Sequence, residues 1–150
     1  MSESGFSLTL TQRADYQFDV DFGDGIPQLL TDEPAPLGQG AGPNPSRMIA
    51  VGVANCLAAS LLFAMRKFKN QPEPITAKVD LEIGRNEAGR LRISHIGVSI
   101  RIGQKAAEVE QLERILAQFE DFCVVTQSVR GGIDVAVEVV DADGQVVKSR

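Results

Sequence analysis

The sequence predicts an α+β protein with a largely antiparallel sheet around one buried central helix. Three observations carry that expectation. Segments of alternating apolar and polar residues lie on both sides of one long helical run, and short turn signals join most of them. Residues 48–65 are apolar or small on every side, as in the buried centre of a protein. Strands outnumber helices, in the order strands, helix, strands, helix, strand. A chain of 150 residues suits a single domain over 1–150 and buries a core without disulfides or a structural metal.

The elements follow in chain order. Phe6, Leu8 and Leu10 alternate with polar neighbours, as do Tyr16, Phe18, Val20 and Phe22. Period two predicts two half-buried strands, with a hairpin turn over residues 12–15 that carries Arg13. Gly23-Asp24-Gly25 is a second turn, and residues 28–32 suit a third strand. Residues 33–45 hold four prolines and three glycines, which predicts a loop. Asn44 then suits a helix N-cap, and Pro45 suits the first helical position, where no N–H is needed. The helix runs over about 45–68. Its length reaches the lower edge of a membrane span. Its Ala and Gly content, with Asn55 and Cys56 at its middle, favours a core helix. Ala50, Gly52, Ala54 and Ala58 would let an identical helix of a second subunit approach closely.

Ile75, Ala77, Val79, Leu81 and Ile83 mark a strand, and residues 86–89 turn the chain. The return strand carries Leu91 and Ile93, then Ile96, Val98, Ile100 and Ile102. Its apolar phase flips at His95, which predicts a bulge there and gives the only histidine a structural explanation. Val109, Leu112, Ile115, Leu116, Phe119 and Phe122 recur at helical spacing, so residues 106–122 read as an amphipathic helix, and a second helical stretch runs on through Cys123 to Val129. Gly131-Gly132 stops it. Ile133, Val135, Val137 and Val139 form a last long strand, and Asp143-Gly144 turns a short tail.

Composition narrows the function. Apolar residues make up 43% and charged residues 23%, an ordinary globular balance. The net charge of −5 lies in residues 1–65, whose only cations are Arg13 and Arg47; the rest of the chain is neutral. No basic stripe faces phosphates, and Trp is absent, so nucleic-acid binding is not expected. One histidine leaves no multi-histidine metal site. The opening Met-Ser-Glu-Ser-Gly has neither a basic flank nor an apolar core, so a cytoplasmic, thiol-reducing setting is expected. Phosphate-loop, dinucleotide and nucleophile-elbow motifs are missing, and no cofactor is expected. Two cysteines, Cys56 and Cys123, remain; each suits a small core residue as well as a reactive thiol.

Gly42-Pro43-Asn44-Pro45, leading into a small-residue helix that reaches Ala54-Asn55-Cys56, resembles the start of the central helix in the OsmC/Ohr family. Cys123-Val-Val-Thr126-Gln-Ser-Val-Arg130-Gly131-Gly-Ile133-Asp134-Val135 resembles that family's second-cysteine segment. Element order agrees over nearly the whole chain. The resemblance implies an OsmC-like fold, an intertwined homodimer with its site at the subunit interface, and thiol-dependent reduction of organic hydroperoxides. Cys56 would be the peroxidatic cysteine and Cys123 the resolving one, with a dithiol as reductant. It further implies a hairpin arginine beside the thiolate, for which Arg13 is the match, held by a glutamate near the helix start. Val124 stands where the family often has proline, and Ser46 and Arg47 stand where the family has the acid. Ten residues of helix span about 15 Å, so Arg47 could reach a cysteine only across a dimer.

The chemistry sets its own requirement. A free thiol is only a few per cent ionised at neutral pH, and lowering its pKa by about 2 units takes about 2.7 kcal/mol of preferential anion stabilisation. Disulfide closure needs Cα atoms about 4.4–6.8 Å apart. An alternative on the same scaffold is a non-catalytic relative that binds a small apolar or acyl ligand at the dimer interface. A structural dimer whose cysteines only pack is a third reading.

Overall fold

The computed structural model describes residues 4–149; Met1, Ser2 and Glu3, read above for a targeting signal, lie outside them. The order is β1 (Thr9–Ala14), β2 (Gln17–Asp21), β3 (Leu29–Thr31), α1 (Pro45–Lys67), β4 (Thr76–Arg85), β5 (Leu91–Arg101), α2 (Leu112–Gln118), α3 (Val124–Val129), β6 (Asp134–Val140) and β7 (Val146–Lys148). The class is α+β with a central helix, as expected. Contacts gather into two compact units, one ending at Met48 and the other starting at Ile49.

In the first unit, β1, β2 and β3 form an antiparallel sheet in that order. Arg13 lies on β1 rather than in a turn over 12–15, because the chain reverses within Asp15-Tyr16. Asp15 takes a φ of 52° there, a conformation Asp tolerates better than most residues, and the Gln12 amide donates to its carbonyl at 2.9 Å. The Pro- and Gly-rich loop is organised by Asp32, which is 2% exposed. Its carboxylate accepts the backbone N–H groups of Glu33 at 2.8 Å and of Gln39 and Ala41 at 3.1 Å. Gly42 packs flat on Leu30, where a Cβ would stand 1.9 Å from the Leu30 carbonyl oxygen. The N-cap is formed as the sequence predicts: Asn44 Oδ1 accepts the Arg47 N–H at 3.0 Å, and Pro45 opens α1.

In the second unit, a four-stranded sheet has the order β4-β5-β6-β7. The β4–β5 and β6–β7 pairings are antiparallel, whereas β5 and β6 run parallel. Hairpins therefore do not account for every join: a parallel pair needs a crossover, and the segment holding α2 and α3 supplies it. The bulge falls as expected. Glu82 opposes His95 and Ile83 opposes Ile93, leaving Ser94 as the extra residue. Beyond it Ile96, Val98 and Ile100 turn to one face, beside Val135, Val137 and Val139 of β6. These six join Val53, Leu57, Leu61 and Met65 of α1, with Ile115, Phe119 and Cys123, in one core. Buried Asn70 fastens the end of α1 to residue 110, donating to the Glu110 carbonyl at 3.0 Å and accepting its N–H at 2.8 Å.

Helix α1 is apolar all round but is buried along one stripe, while Val51 and Phe63 stay 58% and 74% exposed. By length and composition it could cross a bilayer, a test that the core helix of a globular protein also passes. The helix expected over 106–122 is instead a chain of short pieces, Ala106–Glu108, α2 and Phe119–Phe122, while the second helical stretch is α3. Gln111 takes a φ of 60°, and Cys123 is extended, with φ −83° and ψ 96°. A regular helix burying Phe119, Phe122 and Cys123 would swing Glu120 about 100° from Phe119. Here Glu120 is buried beside Phe119, and Phe122 is 74% exposed.

The Asp32 carboxyl sits below its ordinary pKa, chiefly through the Ala41 N–H; burial opposes this, and the Gln39 N–H, the Gln17 amide and the Glu33 N–H assist. A depressed folded-state pKa stabilises fully above the unfolded value and is lost as pH falls through the folded one. Asp32→Asn is expected to lower the urea midpoint at pH 6, and to narrow its deficit against wild type as pH drops below about 4. Equal midpoints at pH 6 would contradict this role for Asp32.

Candidate thiol site

Cys56 sits mid-way along α1, half-buried and flanking the core stripe at Leu57. It lines a cavity of about 410 Å³ together with Ser60, Phe63, Lys67, Phe119 and Phe122. Positions 56, 60, 63 and 67 share one helix face, because they recur at intervals of three and four. The wall is mostly apolar, with the Lys67 ammonium on the same stripe three turns beyond the thiol.

Cys123 reaches the same place from another element. The break between the 3-10 turn Phe119–Phe122 and α3 puts it at the N-cap of α3. Its N–H donates to the Glu120 carbonyl at 3.0 Å, and its own carbonyl accepts the Gln127 N–H at 3.0 Å. The side chain is fully buried, and its thiol donates to Thr126 Oγ1 at 3.0 Å. Burial pushes the Cys123 pKa up, and the neighbouring Cys56 thiol pushes it further; Thr126 opposes them. The two sulfurs, distant in sequence, are thus neighbours and free thiols. They are not equivalent: Cys56 faces the cavity, and Cys123 lies behind it as a protonated thiol.

A buried charge cluster flanks Cys123. Glu120, 5% exposed, meets Arg130 Nη2 through Oε1 at 2.7 Å and Lys148 Nζ through Oε2. Burial raises the Glu120 pKa, but Lys148 and Arg130 outweigh it and hold the carboxyl below its ordinary value. Removing one partner of a buried ion pair costs about 3–5 kcal/mol, much of it the desolvation of the group left behind. In the sequence Arg130 stands in the second-cysteine segment without a role of its own, and nothing marks Glu120 or Lys148, since 28 positions separate them.

The remaining candidates belong to other elements. Arg13 belongs to the unit ending at Met48, where Asp19 pairs with its guanidinium at 2.7 Å. Arg47 lies exposed in the first turn of α1, in the same unit. The His95 ring pairs with Asp134 through Nδ1 at 2.5 Å, across the β5–β6 ladder next to the bulge. Among the described residues, no group of three His, Cys, Asp or Glu side chains is placed to hold a metal.

Comparison with known proteins adds to this geometry. The family model described as OsmC-like protein matches residues 38–138. Among solved structures, an OsmC-like protein of unknown function from Vibrio cholerae superposes with a TM-score of 0.77 at 18% identity, covering 91% of this chain and 99% of that one. An organic hydroperoxide resistance protein from the same organism, solved with captopril in one active site, gives 0.72 at 23% identity, covering 98% and 99%. OhrB of Bacillus subtilis, also an organic hydroperoxide resistance protein, gives 0.67 at 19%, covering 89% and 98%. At these identities the likeness carries the fold. A search of curated proteins finds no match.

The unequal burial of the two thiols has a direct consequence. Iodoacetamide at neutral pH is expected to modify Cys56 well before Cys123 in the native reduced protein, because alkylation needs an exposed thiolate. Mass mapping of the alkylated peptides over time checks this, and equal rates for the two sites would contradict it.

Proposed function

The chain belongs to the OsmC-like protein family, and on that footing we propose that it is a thiol peroxidase reducing organic hydroperoxides through Cys56 and Cys123. The observation that carries the reading is the meeting of a cavity-lining thiol with a buried one across 67 positions of sequence. The Cys56 thiolate attacks one oxygen of the hydroperoxide; the O–O bond breaks and an alcohol leaves with a proton, giving a sulfenic acid. Cys123 then attacks that sulfur and releases water, forming the disulfide. A dithiol reductant reopens it by exchange. The apolar wall of Phe63, Phe119 and Phe122 suits a bulky organic group better than hydrogen peroxide.

Order within the pair follows from exposure. The thiol that meets substrate must be reachable, which suits Cys56, whereas full burial shields Cys123 from substrate and leaves it the second step. Arg13, the hairpin arginine implied by the family resemblance, is our proposed cation for the Cys56 thiolate. Its contact with Asp19 is more than half solvent-exposed at the arginine, so it costs little to exchange. We further propose that a second copy of this chain covers the open side of α1, where Val51 and Phe63 stand exposed. A cytoplasmic setting, which keeps both thiols reduced at rest, belongs to the same proposal.

Stopped-flow mixing of reduced protein with cumene hydroperoxide tests the reading. Wild type is expected to react far faster than a free thiol, Cys56→Ser not at all, and Cys123→Ser for a single event that leaves a dimedone-trappable sulfenate. Arg13→Gln is expected to slow the Cys56 step about tenfold, the thiolate lost with one pKa unit at neutral pH. A wild-type rate no better than a free thiol would overturn the peroxidase reading and favour ligand binding in the apolar cavity. Sedimentation velocity is expected to give a dimer for wild type and a monomer for Val51→Glu; a monomeric wild type would remove the second copy.

A further inference from the structure

We propose that Glu120, gripped by Arg130 and Lys148, is a positioning residue that sets the Cys123 sulfur against Cys56, so that the C-terminal strand β7 controls how readily the two thiols pair. The inference rests on the Cys56–Cys123 pairing put forward above, and its test uses no hydroperoxide.

Cys123 occupies a weak point in the chain. It is the extended residue between a 3-10 turn and a six-residue helix, so no regular helix holds it from both sides. Glu120 compensates from both its main chain and its side chain. Its carbonyl accepts the Cys123 N–H at 3.0 Å and the Gln127 side-chain amide at 3.1 Å. Its carboxylate accepts Arg130 Nη2 at 2.7 Å, and the same nitrogen donates to the Val135 carbonyl of β6 at 3.3 Å. Glu120 and Arg130 therefore bracket Cys123 from three residues before and seven after, and clamp the segment between them to the sheet.

Lys148 completes the clamp from β7. Its ammonium pairs with the other carboxylate oxygen, donates to the Leu116 carbonyl of α2 at 2.7 Å, and stands 4.9 Å above the Phe119 ring. Phe119 is itself a wall of the Cys56 cavity. One cation thus touches the residue that holds Cys123 and the ring that shapes the space beside Cys56. The cluster is enclosed, with side chains 7%, 21% and 18% exposed for Glu120, Arg130 and Lys148. Apolar groups of similar volume would serve burial as well. What a bridged carboxylate adds is direction, because its hydrogen bonds fix where the turn, and hence the sulfur, points. Sulfur–sulfur bonding tolerates little misplacement, so losing the clamp lowers the effective concentration of one thiol at the other.

Equilibrium with glutathione measures that effective concentration. One glutathione disulfide is reduced to two glutathione thiols while Cys56 and Cys123 each give up a hydrogen and join. Acid quenching, thiol alkylation and intact mass give the ratio of disulfide to dithiol. Glu120→Gln and Lys148→Met are each expected to shift this equilibrium about tenfold toward the dithiol, about 30 mV for a two-electron couple. Lys148→Arg, which keeps the charge, is expected to hold the wild-type value. A variant with a lower Tm and an unchanged glutathione equilibrium would mean that the cluster only stabilises the fold, and would overturn the proposal. Should Glu120→Gln fail to fold, Lys148→Met decides on the same criterion. A wild type that forms no Cys56–Cys123 disulfide also overturns it. A wild type that forms the disulfide with glutathione yet reduces no hydroperoxide leaves the positioning role standing and removes the peroxidase reading alone.

Discussion

Burial of α1 along a single stripe is the constraint from which the site follows. Ala50, Val53, Ala54, Leu57, Leu61 and Met65 recur at three- and four-residue steps and go into the protein, although the helix is apolar on almost every side. A sheet face with one layer of short helices can cover only part of a cylinder. The stripe selects itself by packing against Ile96, Val98 and Ile100 and against Val135, Val137 and Val139. Cys56 precedes Leu57 and so falls at the border of the buried stripe. That border position leaves one thiol both packed against the core and open to a cavity.

The second thiol owes its place to the opposite device, a break in regular structure. Cys123 is extended between two short helical pieces, and this turns its side chain inward while Phe122 stays outside. The cost of burying a thiolate there is high, which keeps the group protonated. A border helix position and a helix break therefore produce two chemically distinct sulfurs from one residue type. The proposed reaction, in which the two act in turn, draws on that difference.

Buried polar groups do the fastening where apolar contact cannot. Asp32 gathers three N–H groups of the Pro- and Gly-rich loop, and Asp141 gathers those of Ala106, Asp143 and Gln145. Asn70 ties the end of α1 to the start of the crossover segment. Glu120 belongs to the same group of devices but uses cations. Asp32 orders its own loop, whereas Asp141, Asn70 and Glu120 join segments remote in sequence, and each finds the partners that a buried polar group needs.

Local pattern determined much of this protein from its sequence. Period-two alternation located the strands, the phase flip at His95 located the bulge, and Asn44-Pro45 located the start of α1, because each signal acts within a few residues. The family was legible too, through the motifs around the two cysteines. Tertiary structure alone decided the rest. The parallel pairing of β5 with β6, the stripe of α1 that is buried, and the break that brings Cys123 in rather than Phe122 all depend on what faces each segment across the core. Glu120, Arg130 and Lys148 meet for the same reason. A charge in sequence shows its sign but not its partner, and partners 10 and 28 residues away are selected by the fold that buries them.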